Sequence, residues 1–228
     1  RVGSGEVGDS LLLDPVFELT RDYIVGLADL PNVTFEAKTK TCFVDHLLDV
    51  APKGNAVIGF SLNPGTFSRA EEGVAAPVED RIRAAKSAAS AGYRVAFHFD
   101  PIVRVEGWER EYLALVERLA ELSEADIAWI SMGTVRFTSG LRERIGRRDY
   151  MLDEYVPGRD GKFRYIQRER VRIYRLVLGA IRAVFPHAPV YLCMESEAVW
   201  QRVFGALPED LPELRTVFDE FTLREDAR

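Results

Sequence analysis

Apolar residues in this chain fall in short runs separated by longer stretches in which they recur every three or four positions, the pattern of strands alternating with amphipathic helices. The short runs predict strands over Arg1–Ser4, Val33–Ala37, Ala56–Phe60, Arg94–Phe99, Ile127–Ser131 and Val190–Met194. The longer stretches predict helices over Pro15–Leu30, Val44–Val50, Val78–Ala91, Trp108–Leu122 and Ile166–Phe185. Asp14 followed by Pro15 supplies an N-cap and a residue suited to the first helical turn. The Ala-rich helix from Val78 stops at Gly92, which tolerates the positive φ of a helix C-cap. Strands followed by helices define an α/β fold with a parallel sheet, here a partial parallel (β/α) barrel in one domain over residues 1–228. Between them, Met151–Lys162, with Pro157-Gly158 and Asp160-Gly161, reads as a polar loop too long for an ordinary connection, and so as functional or mobile.

In such folds ligands sit beyond the C-terminal ends of the strands, so the polar residues there carry the chemistry. In chain order they are Glu6, then Lys38 and Lys40, then Ser61 and Asn63, then His98 and Asp100, then Ser131 and Thr134. Alternation places His98 and Asp100 on one face of their strand. His98 reads either as a proton donor, a substrate contact or a metal ligand, or as a structural histidine satisfied by Asp100 or a backbone group. Glu6, beside Gly3-Ser4-Gly5, suits a cationic amine, and a lysine across the barrel mouth suits the carboxylate of the same zwitterion.

Gly3, Gly5 and Gly8 also spell a literal G-x-G-x-x-G, followed by a strand with Glu36 that suits a ribose. A nicotinamide dinucleotide fits this motif poorly, because Asp9 and Asp14 bring negative charge to the phosphate position and the helix begins only after the motif.

Charge changes the picture in one region. The 228 residues sum to -6, yet Arg136–Arg175 holds twelve basic and six acidic residues, so that stretch is +6 and the remainder -12. Arg168 and Arg172 lie in an amphipathic run that reads either as a phosphate-facing surface for nucleic acid or as a solvated helix face. A non-catalytic nucleic-acid-binding module is therefore an alternative to an enzyme. Two cysteines, Cys42 and Cys193, lack a partner motif, and with only His46 besides His98 and His187 no metal site is expected. The absence of a signal-peptide pattern and of a long apolar run points to a cytoplasmic protein outside the membrane.

Several blocks recur in a definite order: Gly3-Ser4; Lys40 with Val44-Asp45-His46-Leu47-Leu48; Phe60-Ser61-Leu62-Asn63; Asp80-Arg81 with Ala84-Ala85 and Ala91-Gly92-Tyr93; Pro101-Ile102 with Glu106-Gly107-Trp108-Glu109; and Arg136-Phe137-Thr138. In this order and spacing the chain, up to about Thr138, resembles spore photoproduct lyase and its relatives, a branch of the radical S-adenosylmethionine superfamily.

The resemblance implies a partial barrel of the radical S-adenosylmethionine (AdoMet) type. AdoMet would lie at the strand ends beside a 4Fe-4S cluster held by a C-x-x-x-C-x-x-C loop and fed by an external electron donor. Cleavage to a 5′-deoxyadenosyl radical would then start chemistry on a nucleic acid or nucleotide, as in DNA repair. Lys40 and Ser61 fall on positions expected to contact the cofactor, with Ser4, Glu6 and Asn63 as neighbours, and His98, Asp100 and Arg136 lie toward the substrate. Two departures stand out. The cysteine loop is absent, so the chain reads as an N-terminally incomplete fragment that binds no cluster alone and exposes a sheet edge to pairing. Gly5 stands where the lyases carry the cysteine that returns hydrogen to the product. Cys193, at a strand end, is a candidate replacement, against the ordinary reading of a buried structural cysteine.

Overall fold

The computed structural model describes residues 1–5, 8–146, 148, 150, 155–215 and 217. The strands are β1 Val2–Ser4, β2 Phe35–Thr39, β3 Ala56–Ser61, β4 Arg94–Ile102, β5 Ile127–Thr134, β6 Arg136–Phe137, β7 Tyr155–Pro157, β8 Phe163–Tyr165 and β9 Val190–Leu192. The helices are α1 Asp14–Phe17, α2 Leu19–Leu27, α3 Gly65–Glu71, α4 Val78–Ser90, α5 Trp108–Glu117, α6 Ser139–Ile145, α7 Gln167–Val184 and α8 Glu197–Phe204.

Six strands form one parallel sheet in the order β1-β2-β3-β4-β5-β9. The layers follow from the alternation of side chains along each strand. Ile58 and Phe60, Val95 and Phe97, and Ile130 and Met132 take alternate positions and are fully buried. Helix α4 packs on β3 and β4, α7 on β5 and α2 on β2. The intervening positions, Glu36, Gly59, His98 and Ser131, meet one another inside the curve of the sheet. The polar half of the alternation therefore lines the barrel interior, and both faces of β3 and β5 are closed to water.

All six predicted strands of the main sheet are present: β3, β4 and β5 run one to three residues further than expected, β2 is displaced two residues along the chain, and β9 stops at Leu192, two residues short of Met194. The predicted helix 15–30 is two helices, because Glu18 adopts φ 52° and turns the chain between α1 and α2. The predicted helix 44–50 is a short 3-10 turn over Asp45–Leu47. Within the expected loop 151–162, residues 155–157 form β7, which pairs with β8; with β6 they make a second, antiparallel sheet in the order β6-β8-β7. Residues 151–154 of that loop lie outside the described residues. Ring contacts explain this small sheet: Phe137 meets Tyr155 edge-on and stacks on Phe163, and Tyr155 stacks on Tyr165.

Candidate functional site

A cavity of about 520 Å³ opens at the C-terminal ends of β1, β2 and β3, between Gly5, Gly8 and Asp9 on one side and Glu72, Val74 and Ala75 on the other. Lys38, Lys40 and Ser61 line it from the strand ends. Its first wall is sewn to β2 by short polar side chains. Asp9 accepts hydrogen bonds from the backbone N–H of Leu11 (2.9 Å) and of Lys40 (2.6 Å) and from the Thr39 hydroxyl (2.7 Å). The Ser10 hydroxyl accepts from the Lys38 N–H at 3.1 Å and lies 2.8 Å from the Ser4 hydroxyl. Gly5, at φ 87°, is required here, since a Cβ would come within 2.5 Å of the Lys38 carbonyl oxygen.

The opposite wall is organised by Glu72. Its carboxylate accepts from Lys40 Nζ, from Asn63 Nδ2 (3.0 Å), from the Ser68 hydroxyl (2.7 Å) and from Arg81 Nη2 (2.7 Å). Arg81 is fully buried and also donates to the carbonyl oxygens of Ser61 (2.8 Å) and Ala76 (2.7 Å). Burial alone would raise the Glu72 carboxyl, but the charge and hydrogen bond of Lys40, the Ser68 hydroxyl and the Arg81 charge bring it down to about 2. This wall keeps its ion pairs at any ordinary pH.

Deeper in the barrel, His98 bridges two strands. Its Nε2 lies 2.6 Å from Glu36 Oε1 and its Nδ1 2.7 Å from the Ser131 hydroxyl. Burial of Glu36 is outweighed by the hydrogen bond and charge of His98 and by the charges of Arg1 and Lys38, which lower its pKa. Of the two readings of His98, a partner is present, and it is Glu36 with Ser131 rather than Asp100. Glu36 is itself 3% exposed, which removes it as the ribose contact of a dinucleotide.

Asp100 instead receives Arg136, whose Nη2 sits 3.1 and 3.0 Å from the two carboxylate oxygens while Nη1 donates to the Cys193 carbonyl at 2.9 Å. Gly133 makes this possible, because a Cβ there would come within 2.5 Å of Asp100 Oδ1. The Cys193 sulfur lies 3.7 Å from Arg136 Nη2. Burial, and then the charge of Asp100, push its thiol up to about 11, so the sulfur carries its hydrogen at neutral pH.

The structure thus gathers Lys40 and Ser61 at one cavity, with Ser4 behind one wall and Asn63 buried behind the other against Glu72, and His98, Asp100, Arg136 and Cys193 along the neighbouring strands. Glu6 lies outside the described residues. Arg168 is exposed on α7. Arg172 is held between Glu109 (2.5 Å) and Glu169 (3.0 Å), its guanidinium over the Trp108 ring, and so ties α7 to α5. Arg170, in the same basic stretch, is buried against Glu195 and the Tyr165 carbonyl. Glu72 and Arg81 are the residues that sequence reasoning missed as parts of the site; the presence of Arg81 amid the alanines of a helix is the signal that could have found them. Among the described residues no group of three or more His, Cys, Asp or Glu is placed to hold a metal ion, and no helix is long and apolar enough to cross a membrane.

Residues 8–193 match the family model described as spore photoproduct lyase. The chain is 30% identical over 179 residues to the spore photoproduct lyase of Geobacillus sp. (strain Y412MC61), covering 73% of this chain and 52% of that protein. It is 34% identical to that of Bacillus subtilis (strain 168), covering 72% and 52%. Among solved structures, a Cys-to-Ala mutant of spore photoproduct lyase superposes with a TM-score of 0.76 at 27% identity, over 84% of this chain and 60% of that one. A double mutant with bound AdoMet and dinucleoside spore photoproduct gives 0.74 at 27%, over the same shares. The chain belongs to the spore photoproduct lyase family, and its parallel sheet is a partial barrel of the radical AdoMet type. It spans about half the length of the curated relatives it matches.

Proposed function

We propose that this chain is the AdoMet-binding and substrate-facing part of a radical AdoMet enzyme of the spore photoproduct lyase type, acting on a nucleic acid or nucleotide in DNA repair. The observation that carries this reading is the cavity at the ends of β1–β3. Its size lies within the usual range for small-molecule sites, roughly 300–1,000 Å³, and it brings Lys40 and Ser61 together. Lysine and hydroxyl groups suit the amino-acid end and ribose of AdoMet, while Leu12, Val74 and Ala75 offer apolar surface for the adenine. Solved relatives are described with AdoMet and with dinucleoside spore photoproduct bound.

A 4Fe-4S cluster, reduced by an external donor, supplies the electron in this enzyme class. Such a cluster takes thiolate ligands, and Cys42 and Cys193 are the only cysteines here, so its donor set is not contained in these 228 residues. What this chain's own residues supply is binding and orientation. Lys40, Ser61 and Asn63, with Ser4 and Glu6 adjacent in sequence to the cavity, would hold the cofactor. Asp100 would face the substrate and Arg136, with Arg168, its phosphates; a substrate role for His98 is supported by its strand position alone, and its burial between Glu36 and Ser131 weighs against it. Cys193, kept as a thiol, would serve as the hydrogen donor in place of the family cysteine. A role of Arg172 in phosphate binding is supported by its charge alone, and its two ion pairs weigh against it.

Calorimetric titration of the chain with AdoMet tests the reading. Micromolar binding that is lost in Lys40→Ala and Ser61→Ala, with no response to a nicotinamide dinucleotide, is the expected result. Absence of AdoMet binding, together with strongly salt-dependent oligonucleotide binding, would favour a non-catalytic nucleic-acid module instead.

A further inference from the structure

The wall of the cavity formed by Glu72 does not come from a strand end, yet it controls one. Of the four side chains bonded to this carboxylate, three are fixed by other partners or by their surroundings. Asn63 accepts from the Tyr112 hydroxyl at 2.8 Å, Ser68 is buried within α3, and Arg81 is bonded to the carbonyls of Ser61 and Ala76. Lys40 differs. Its backbone is anchored by Asp9 and by the Ala76 N–H (2.9 Å), but its ammonium, at the end of a flexible four-carbon stem, has Glu72 as its carboxylate partner. The Lys40 side chain remains 36% exposed toward the cavity, whereas that of Glu72 is 6% exposed. Lys40 and Arg81 bring two positive charges against the single negative charge of Glu72, and the neighbouring Glu71 is paired with Arg148 at 2.8 Å, so one net positive charge remains at this wall.

We propose that Glu72 is the positioning residue of the cavity: it presets the Lys40 ammonium so that the remaining positive charge meets the carboxylate of an amino-acid-bearing nucleoside. This rests on the reading of the cavity as an AdoMet site and adds to it a residue that touches Lys40 rather than the ligand. A pre-ordered cation loses less side-chain freedom on binding than a free one. Removing the carboxylate would strengthen the positive potential but release the ammonium. At a partly exposed group the loss of position outweighs the gain, because solvent screens the added charge.

The test is calorimetric titration of the chain and its Glu72→Gln, Lys40→Met and doubly substituted variants with three probes: AdoMet, S-adenosylhomocysteine and 5′-methylthioadenosine, which lacks the amino-acid end. In Glu72→Gln, affinity for the first two should fall about tenfold or more while that for methylthioadenosine changes less than twofold. In the double variant Glu72→Gln should add little to Lys40→Met, since coupling of this kind appears only between residues that act through one another. Equal loss for all three probes, additive effects, or unchanged or tighter AdoMet binding would overturn the proposal while leaving the AdoMet site standing. Failure of the unsubstituted chain to bind AdoMet or its homocysteine analogue would overturn both. Should thermal melting show that Glu72→Gln does not fold, Glu72→Asp answers the same question. It keeps the charge opposite Arg81 but withdraws the carboxylate from Lys40, and the same discrimination among probes is expected.

Discussion

Nε2 of His98 on β4 lies 2.6 Å from Oε1 of Glu36 on β2, across a strand that contributes only Gly59 between them. A Cβ at Gly59 would stand 2.6 Å from that carboxylate oxygen and 2.9 Å from the imidazole nitrogen. The glycine is therefore what lets two non-adjacent strands share a hydrogen bond through the barrel.

Gly59→Ala should accordingly cost about 3 kcal/mol, the upper end for overpacking a closed site. Urea denaturation measures it. In a background of Glu36→Ala and His98→Ala the same change should cost much less, because the new methyl then has room on both sides; an equal cost there would show that the clash lies elsewhere.

Acid should weaken the fold through two carboxylates. Glu72 is lowered from 4.5 to about 2 and Glu36 is lowered as well. A depressed carboxylate stabilises the folded state above its unfolded pKa, and that contribution disappears as pH falls through the folded one. For Glu72 the window runs from about pH 4.5 down to about 2 and is worth roughly 3 kcal/mol at neutral pH. Melting temperatures of Glu72→Gln, set against the unsubstituted chain from pH 6 to pH 3, should converge toward the acid end. A constant gap would argue that the ion pairs of Glu72 are not the source.

The Cys193 thiol, held up to about 11 by burial and then by Asp100, should be alkylated slowly at pH 8, with reactivity rising only in strong base. Asp100→Asn removes the like charge and leaves Arg136 near the sulfur, so the rate at pH 9 should increase several-fold. Mass spectrometry of Cys193 peptides after timed iodoacetamide treatment reads this directly, and an unchanged rate would remove Asp100 as a cause.

Arg168 and Arg172 should separate under charge reversal. Arg168→Glu, at an exposed position, should weaken oligonucleotide binding and flatten its salt dependence without altering the melting temperature. Arg172→Glu breaks an ion pair to Glu109 and a cation–π contact to Trp108 between α7 and α5, with an ion pair to Glu169 within α7, and should cost about 1 kcal/mol of stability. Equal effects on binding and equal stability would mean that both side chains serve the same surface.

The linear pattern carried the main architecture. Strands β3, β4, β5 and β9 were legible as short apolar runs, β1 and β2 rest on a weaker pattern broken by Gly3, Glu36 and Lys38, and the helix from Val78 to its stop before Gly92 obeyed local capping rules. That Lys40 and Ser61 line a cavity was legible because strand ends in such folds are where clefts open. The break at Glu18 was not legible, since a positive φ at a glutamate is imposed by packing rather than by propensity. The sheet of β6, β7 and β8 was hidden because its strands are two or three residues long and held by ring contacts distant along the chain. The pairing of His98 with Glu36, sixty-two residues apart, and the convergence of Lys40, Asn63 and Arg81 on Glu72 were decided by tertiary structure alone. Alternation tells which face a side chain takes, but which charges then meet across the barrel depends on the curvature and register of the sheet, and a linear sequence encodes these only through the packing of the whole.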